Sequence, residues 1–173
     1  MKIQDLLKLY AKSPQVGALA ETLRKKSVKN IFLEGLMCSS APMLFGALKA
    51  RFSTVVLFIL QDADEAGYFY HDLVQLSGEG EVLFFPSSYR RAVKYGQRDA
   101  ASEILRTEVL SRLTTIVPDA QTLVIVTSAE PLAEKVVSKS SLEDKSIQVH
   151  PGETLDREEL HNLLLELGFN RGE

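Results

Sequence analysis

NIFLEGLMCSSAPMLFGALKAR, residues 30–51, is the stretch on which the reading of the fold turns. A short apolar run (Ile31, Phe32, Leu33) leads into a turn through Gly35–Ser40, and Met43, Leu44, Ala47 and Leu48 then recur at helical spacing. Strand, small-residue loop and helix, in that order, make the frame of a phosphate-binding loop. In the working motif, G-x-x-x-x-G-K-[ST], backbone amides cradle the phosphates, the lysine pairs with their oxygens and the hydroxyl holds magnesium. Counted from Gly35, the second glycine falls on Ser40, the lysine on Ala41 and the hydroxyl on Pro42. The cation and the metal ligand are both gone, and Pro42 has no amide to donate. Proline is favoured in a first helical turn, so the stretch keeps a good helix start. Gly35, Ser39, Ser40, Ala41 and Pro42 thus read as a degenerate phosphate loop, able at most to hold an anion through amides and the helix dipole.

Upstream, Ile3, Leu6, Leu7 and Tyr10 share one helical face, and Ser13-Pro14 breaks it. Val16, Leu19, Ala20 and Leu23 make a second face, closed by Arg24-Lys25-Lys26, which complement the helix dipole. Downstream, STVVLFILQ (53–61) is apolar on both faces and predicts a strand covered on both sides. Asp62 with Glu65 three residues on has capping-box spacing and starts a helix to about Ser77. EVLFF (81–85) predicts a third strand. Ala101, Ile104, Leu105, Val109 and Leu113 form a helix stripe, TLVIVT (122–127) a fourth strand, and Ser128 a cap for a helix to about Val137. The predicted order from residue 30 is β-α-β-α-β-α-β-α. Strands alternating with helices predict an α/β fold, a mostly parallel sheet with helices on both faces.

Composition shifts at the polar connector Ser138-Lys139-Ser140-Ser141. Past it lie a short strand candidate (Ile147, Val149), the turn Pro151-Gly152 and a leucine stripe at 160, 163, 164 and 167 that Gly168 stops. One strand and one helix cannot close a core of their own. The expected organisation is an α/β domain at 1–139 and the incomplete start of a small α+β domain at 140–173.

The 173 residues carry 20 basic and 23 acidic side chains, a formal charge of −3, which gives no nucleic-acid signature for the whole chain. Residues 1–10 alternate charge with leucine and lack the apolar stretch of a signal peptide. The longest apolar run, 55–60, falls far short of the ~20 residues that span a bilayer, so a cytoplasmic protein without a membrane partner is expected. The single cysteine, Cys38, excludes an internal disulfide; it reads as small buried filler rather than a nucleophile, having no paired histidine in view. His71, His150 and His161 are scattered without a second ligand at metal spacing, so no metal site is expected. Tyr89, Arg90, Arg91, Lys94, Tyr95 and Arg98 interleave rings and cations after the third predicted strand, a pattern that suits a nucleic-acid or a protein contact.

Phe32-Leu33-Glu34-Gly35-Leu36, EVLFFP (81–86) and VIVTS (124–128) together resemble the first domain of the bacterial transcription-repair coupling factor, itself similar to the excision-repair subunit UvrB. VHPGETLDREELHNLLLELGF (149–169) resembles the opening of the small domain inserted there, and the likeness covers about residues 15–171. The resemblance implies a non-hydrolysing, helicase-like amino-terminal module, UvrB-like in its first domain. The inserted domain recruits UvrA, while ATP- and magnesium-dependent translocation on DNA and displacement of RNA polymerase belong to later domains of the parent. No cofactor is then expected in residues 1–173. UvrB keeps the Gly, Lys and Thr of its loop where this chain has Ser40, Ala41 and Pro42. The family's recruitment surface has an arginine just after a Gly-aromatic pair, and Arg171 matches it with a one-residue offset past Gly168-Phe169. Two other readings remain open: a divergent ATPase or helicase completed by further residues, and an unrelated α/β domain binding a small molecule at the strands' carboxyl ends.

Overall fold

The structure is a computed structural model of the chain. It describes all residues except 1, 26, 52, 79, 90–98, 118–121, 148–150, 153, 155 and 167–173. Contacts divide it into two compact units, Met1–Lys135 and Val136–Glu173.

The first unit opens with helices α1 (Ile3–Ala11) and α2 (Pro14–Leu23), split where Pro14 starts the second helix. Helix α3 (Ser40–Leu48) runs through a 3-10 turn to β1 (Val55–Leu60), followed by α4 (Ala63–Ser77) and β2 (Val82–Phe85). Then come α5 (Ala100–Thr115), β3 (Leu123–Ser128) and the short α6 (Ala129–Leu132). Asp62 caps α4 as its spacing predicts, its side chain accepting the Glu65 amide at 2.8 Å. The strands form one three-stranded sheet in the order β1-β3-β2, with both pairings parallel. This is an α/β fold.

Alternate residues of β2 and β3 face opposite ways. Val82, Val124 and Val126 join Met43 and Phe45 of α3 and Ala66, Leu73 and Leu76 of α4 on one side. Leu83, Phe85, Leu123 and Ile125 meet Val109 of α5 on the other. Helices therefore cover both faces, but unequally. The inner row of β1 (Val56, Phe58, Leu60) packs into the first cluster, with Phe58 edge-on to Phe45 at 5.0 Å. Its outer row, Val55, Leu57 and Ile59, stays 44%, 46% and 56% exposed. The expectation of a strand covered on both sides is corrected here, because among the described residues β1 pairs with β3 alone and α5 packs over β2 and β3. Helices α1 and α2 lie against α3, so close that a methyl added at Gly46 would meet Leu7 at 3.0 Å.

Four further expectations are corrected. Ile31–Leu33 forms no strand; Phe32 is 87% exposed and the segment has no ladder partner among the described residues, so its backbone is irregular. Of the expected stripe on α5, Val109 is buried but Ile104 and Leu113 are exposed, and Arg106 is buried beside Val109 instead, because the helix lies on the sheet by the line that reaches Phe85. The helix expected from Ser128 to about Val137 ends at Leu132. The polar connector at 138–141 is the start of a helix, α7 (Lys139–Asp144), since the Ser138 hydroxyl caps it by accepting the Ser141 amide at 3.2 Å.

The second unit holds α7, a turn through Gly152 at φ 91, and α8 (Arg157–Glu166). None of its described residues is fully buried. No helix among the described residues is long and apolar enough to cross a membrane.

Candidate functional site

Residues 35–42 turn through two left-handed positions, Gly35 at φ 81 and Cys38 at φ 49, before α3 begins. Glycine takes that conformation freely, whereas the Cβ of Cys38 meets steric resistance there. The turn is closed on itself. The Ser40 hydroxyl accepts the Met37 amide at 2.7 Å, the Ser40 amide donates to the Met37 carbonyl at 3.0 Å, and Met43 donates to Ser39 at 3.1 Å. Ala41 carries no polar group into the turn, and Pro42 is fully buried. Leu33 and Leu36, with Leu6, Leu9, Tyr10 and Leu19, line an apolar groove of about 490 Å³ beside the turn. Cys38 is exposed, which corrects its reading as buried filler: the left-handed turn carries its side chain outward.

Of the aromatic and basic cluster, Tyr89 is half exposed and its amide reaches the Ser87 hydroxyl at 3.3 Å. Arg90, Arg91, Lys94, Tyr95 and Arg98 lie outside the described residues, as does Arg171. His71 and His161 face solvent, and no group of acidic, histidine or cysteine side chains among the described residues could hold a metal ion.

A polar cluster that sequence reasoning missed lies just past the carboxyl end of β2. The Glu134 carboxylate accepts the Ser87 hydroxyl at 2.6 Å on Oε1. On Oε2 it accepts the Ser88 hydroxyl at 2.6 Å and amide at 3.1 Å, with Arg106 Nη1 at 3.3 Å. The side chains of Arg106 and Glu134 are only 7% and 12% exposed. Burial by itself would raise the Glu134 pKa, but the hydroxyls of Ser87 and Ser88, the Ser88 amide and the Arg106 charge together hold it below the ordinary glutamate value. Arg106 also donates to the Pro86 carbonyl at 2.8 Å and stacks 4.1 Å over the Phe85 ring. The signal in the sequence was Arg106 three residues before Val109, one helical turn away on the same face.

A second cavity, of about 500 Å³, opens at the amino ends of the strands between Lys49, Glu81 and Arg112. Lys49 is paired with Glu81, and Arg112 donates to the Gly80 carbonyl at 2.9 Å. In open α/β sheets ligands bind at the opposite, carboxyl end.

The chain matches no protein-family model, no curated protein and no solved structure.

Proposed function

We propose that this chain is the non-catalytic amino-terminal scaffold of a transcription-coupled DNA-repair translocase, a degenerate phosphate-loop module of helicase-like descent. The observation that carries this reading is the closed turn at 35–42. It keeps the small-residue turn and the helix start, yet spends Ser40 on the Met37 amide and buries Pro42 where the metal ligand would be. A nucleotide has neither a cation nor a hydroxyl to meet there. The parallel sheet preceded and followed by helices, and the ordered likenesses at 32–36, 81–86, 124–128 and 149–169, support the same reading.

On this reading ATP and magnesium act in the motor domains of a bacterial, cytoplasmic parent, which engages DNA and displaces stalled RNA polymerase. UvrA docks through the domain that begins near residue 140, with Arg171 as a contact, and the cations at 90–98 meet a protein surface rather than DNA. The reading frame beyond residue 173 tests the proposal. A translocase motor carrying an intact G-x-x-x-x-G-K-[ST] loop is the expected finding, and a frame without one overturns it.

A further inference from the structure

The donors around Glu134 all point one way. Two hydroxyls, one amide and one guanidinium converge on two carboxylate oxygens, at the sheet end where open α/β folds bind their ligands. Hydroxyls, an amide and a planar guanidinium are also the donor set that recognises a phosphate group. The receptor is held in place without help from Glu134. Arg106 is fixed by the Pro86 carbonyl and the Phe85 ring. The end of β2 is pinned by the Thr127 hydroxyl, which donates to the Phe85 carbonyl at 2.6 Å, and the Ser88 carbonyl accepts the Asp99 amide at 2.8 Å.

Glu134 itself is held mainly through its carboxylate. It follows a four-residue helix, in a turn whose described backbone bonds are Ala133 to Glu130 at 3.1 Å and Glu134 to Pro131 at 3.3 Å. We propose that Glu134 is an internal ligand: it fills a phosphate receptor formed by Ser87, Ser88 and Arg106, and its displacement opens that receptor to a phosphate group. The physical requirement is charge balance. A guanidinium buried to this extent is costly to leave without its carboxylate, so when the carboxylate leaves, an anion that takes its place is favoured. The phosphate can be free or part of a nucleic-acid backbone, since both present the same oxygens. This inference does not depend on the repair reading.

The test is a thermal titration of the whole chain and of Glu134→Ala with inorganic phosphate, against chloride at matched ionic strength. Glu134→Ala should melt lower than wild type in chloride and recover by several degrees, saturably, in millimolar phosphate. Wild type should respond little, because its own carboxylate competes at high effective concentration. Adding Ser87→Ala and Ser88→Ala should remove the recovery. A phosphate response in Glu134→Ala no larger than in wild type, or one that survives loss of both serines, overturns the proposal. Should Glu134→Ala fold only in phosphate, that rescue supports it. Should it fold in neither salt, Glu134→Gln takes its place in the same titration, and no gain there overturns the proposal. A labelled duplex in parallel identifies the source: a gain with both ligands assigns the backbone, a gain with phosphate alone assigns free phosphate, and a gain with duplex alone overturns the receptor.

Discussion

The Ser40 hydroxyl accepts the Met37 amide at 2.7 Å, so in the turn that leads into α3 this amide is already satisfied from within. ATP with magnesium should therefore neither raise the melting temperature nor be hydrolysed. Ala41→Lys alone should not restore binding, because Pro42 still blocks the metal position and Ser40 still holds Met37. A saturable shift at millimolar ATP, where a ligand at 100 times its Kd adds about 2.7 kcal/mol, would contradict this.

The two faces of β1 should differ in their tolerance of truncation. Phe58 meets Phe45 and Phe69 at 5.0 and 4.8 Å, so Phe58→Ala should cost about 3 kcal/mol or more in urea unfolding. Leu57, its outward neighbour, should cost about 1 kcal/mol or less as Leu57→Ala, as expected of a half-exposed side chain. Equal losses would mean that the outer row is covered in solution.

Acid should release Glu134. Its pKa is depressed in the folded chain, so its contribution to stability is fully present above the ordinary glutamate value of 4.5 and is lost as pH falls through the lower, folded value. Wild type should thus lose stability more steeply below pH 4.5 than Glu134→Gln, which has no carboxylate to titrate. Chemical denaturation at a series of acid pH values measures this, and parallel curves would refute the assignment.

Cys38 holds φ 49 without being glycine. Cys38→Gly removes a left-handed penalty of about 1–2 kcal/mol. It adds an unfolded-state entropy cost of about 0.5–1 kcal/mol, for a small net gain in melting temperature. Cys38→Val, β-branched at the same angle, should destabilise. A loss on Cys38→Gly would show that the thiol has contacts which outweigh the strain.

Local patterning by itself determined much of this protein. The β-branched runs at 55–60 and 123–128, the Asp62 cap and the Pro14 break are legible because each depends on neighbours a few residues away. So is the absence of a lysine and a hydroxyl at Ala41 and Pro42, since side-chain identity is read from the sequence directly. Tertiary structure decided the rest. Ile31–Leu33 has strand composition but pairs with nothing among the described residues, because a strand requires a ladder partner that no local signal supplies. The outer row of β1 reads as core yet remains exposed, because coverage depends on where α5 comes to lie. Arg106 shares the face of Val109 on α5. It is buried because folding brings Ser87, Ser88 and Glu134, 46 residues apart at the Ser88–Glu134 contact, to one point, and only that convergence can hold a guanidinium away from water.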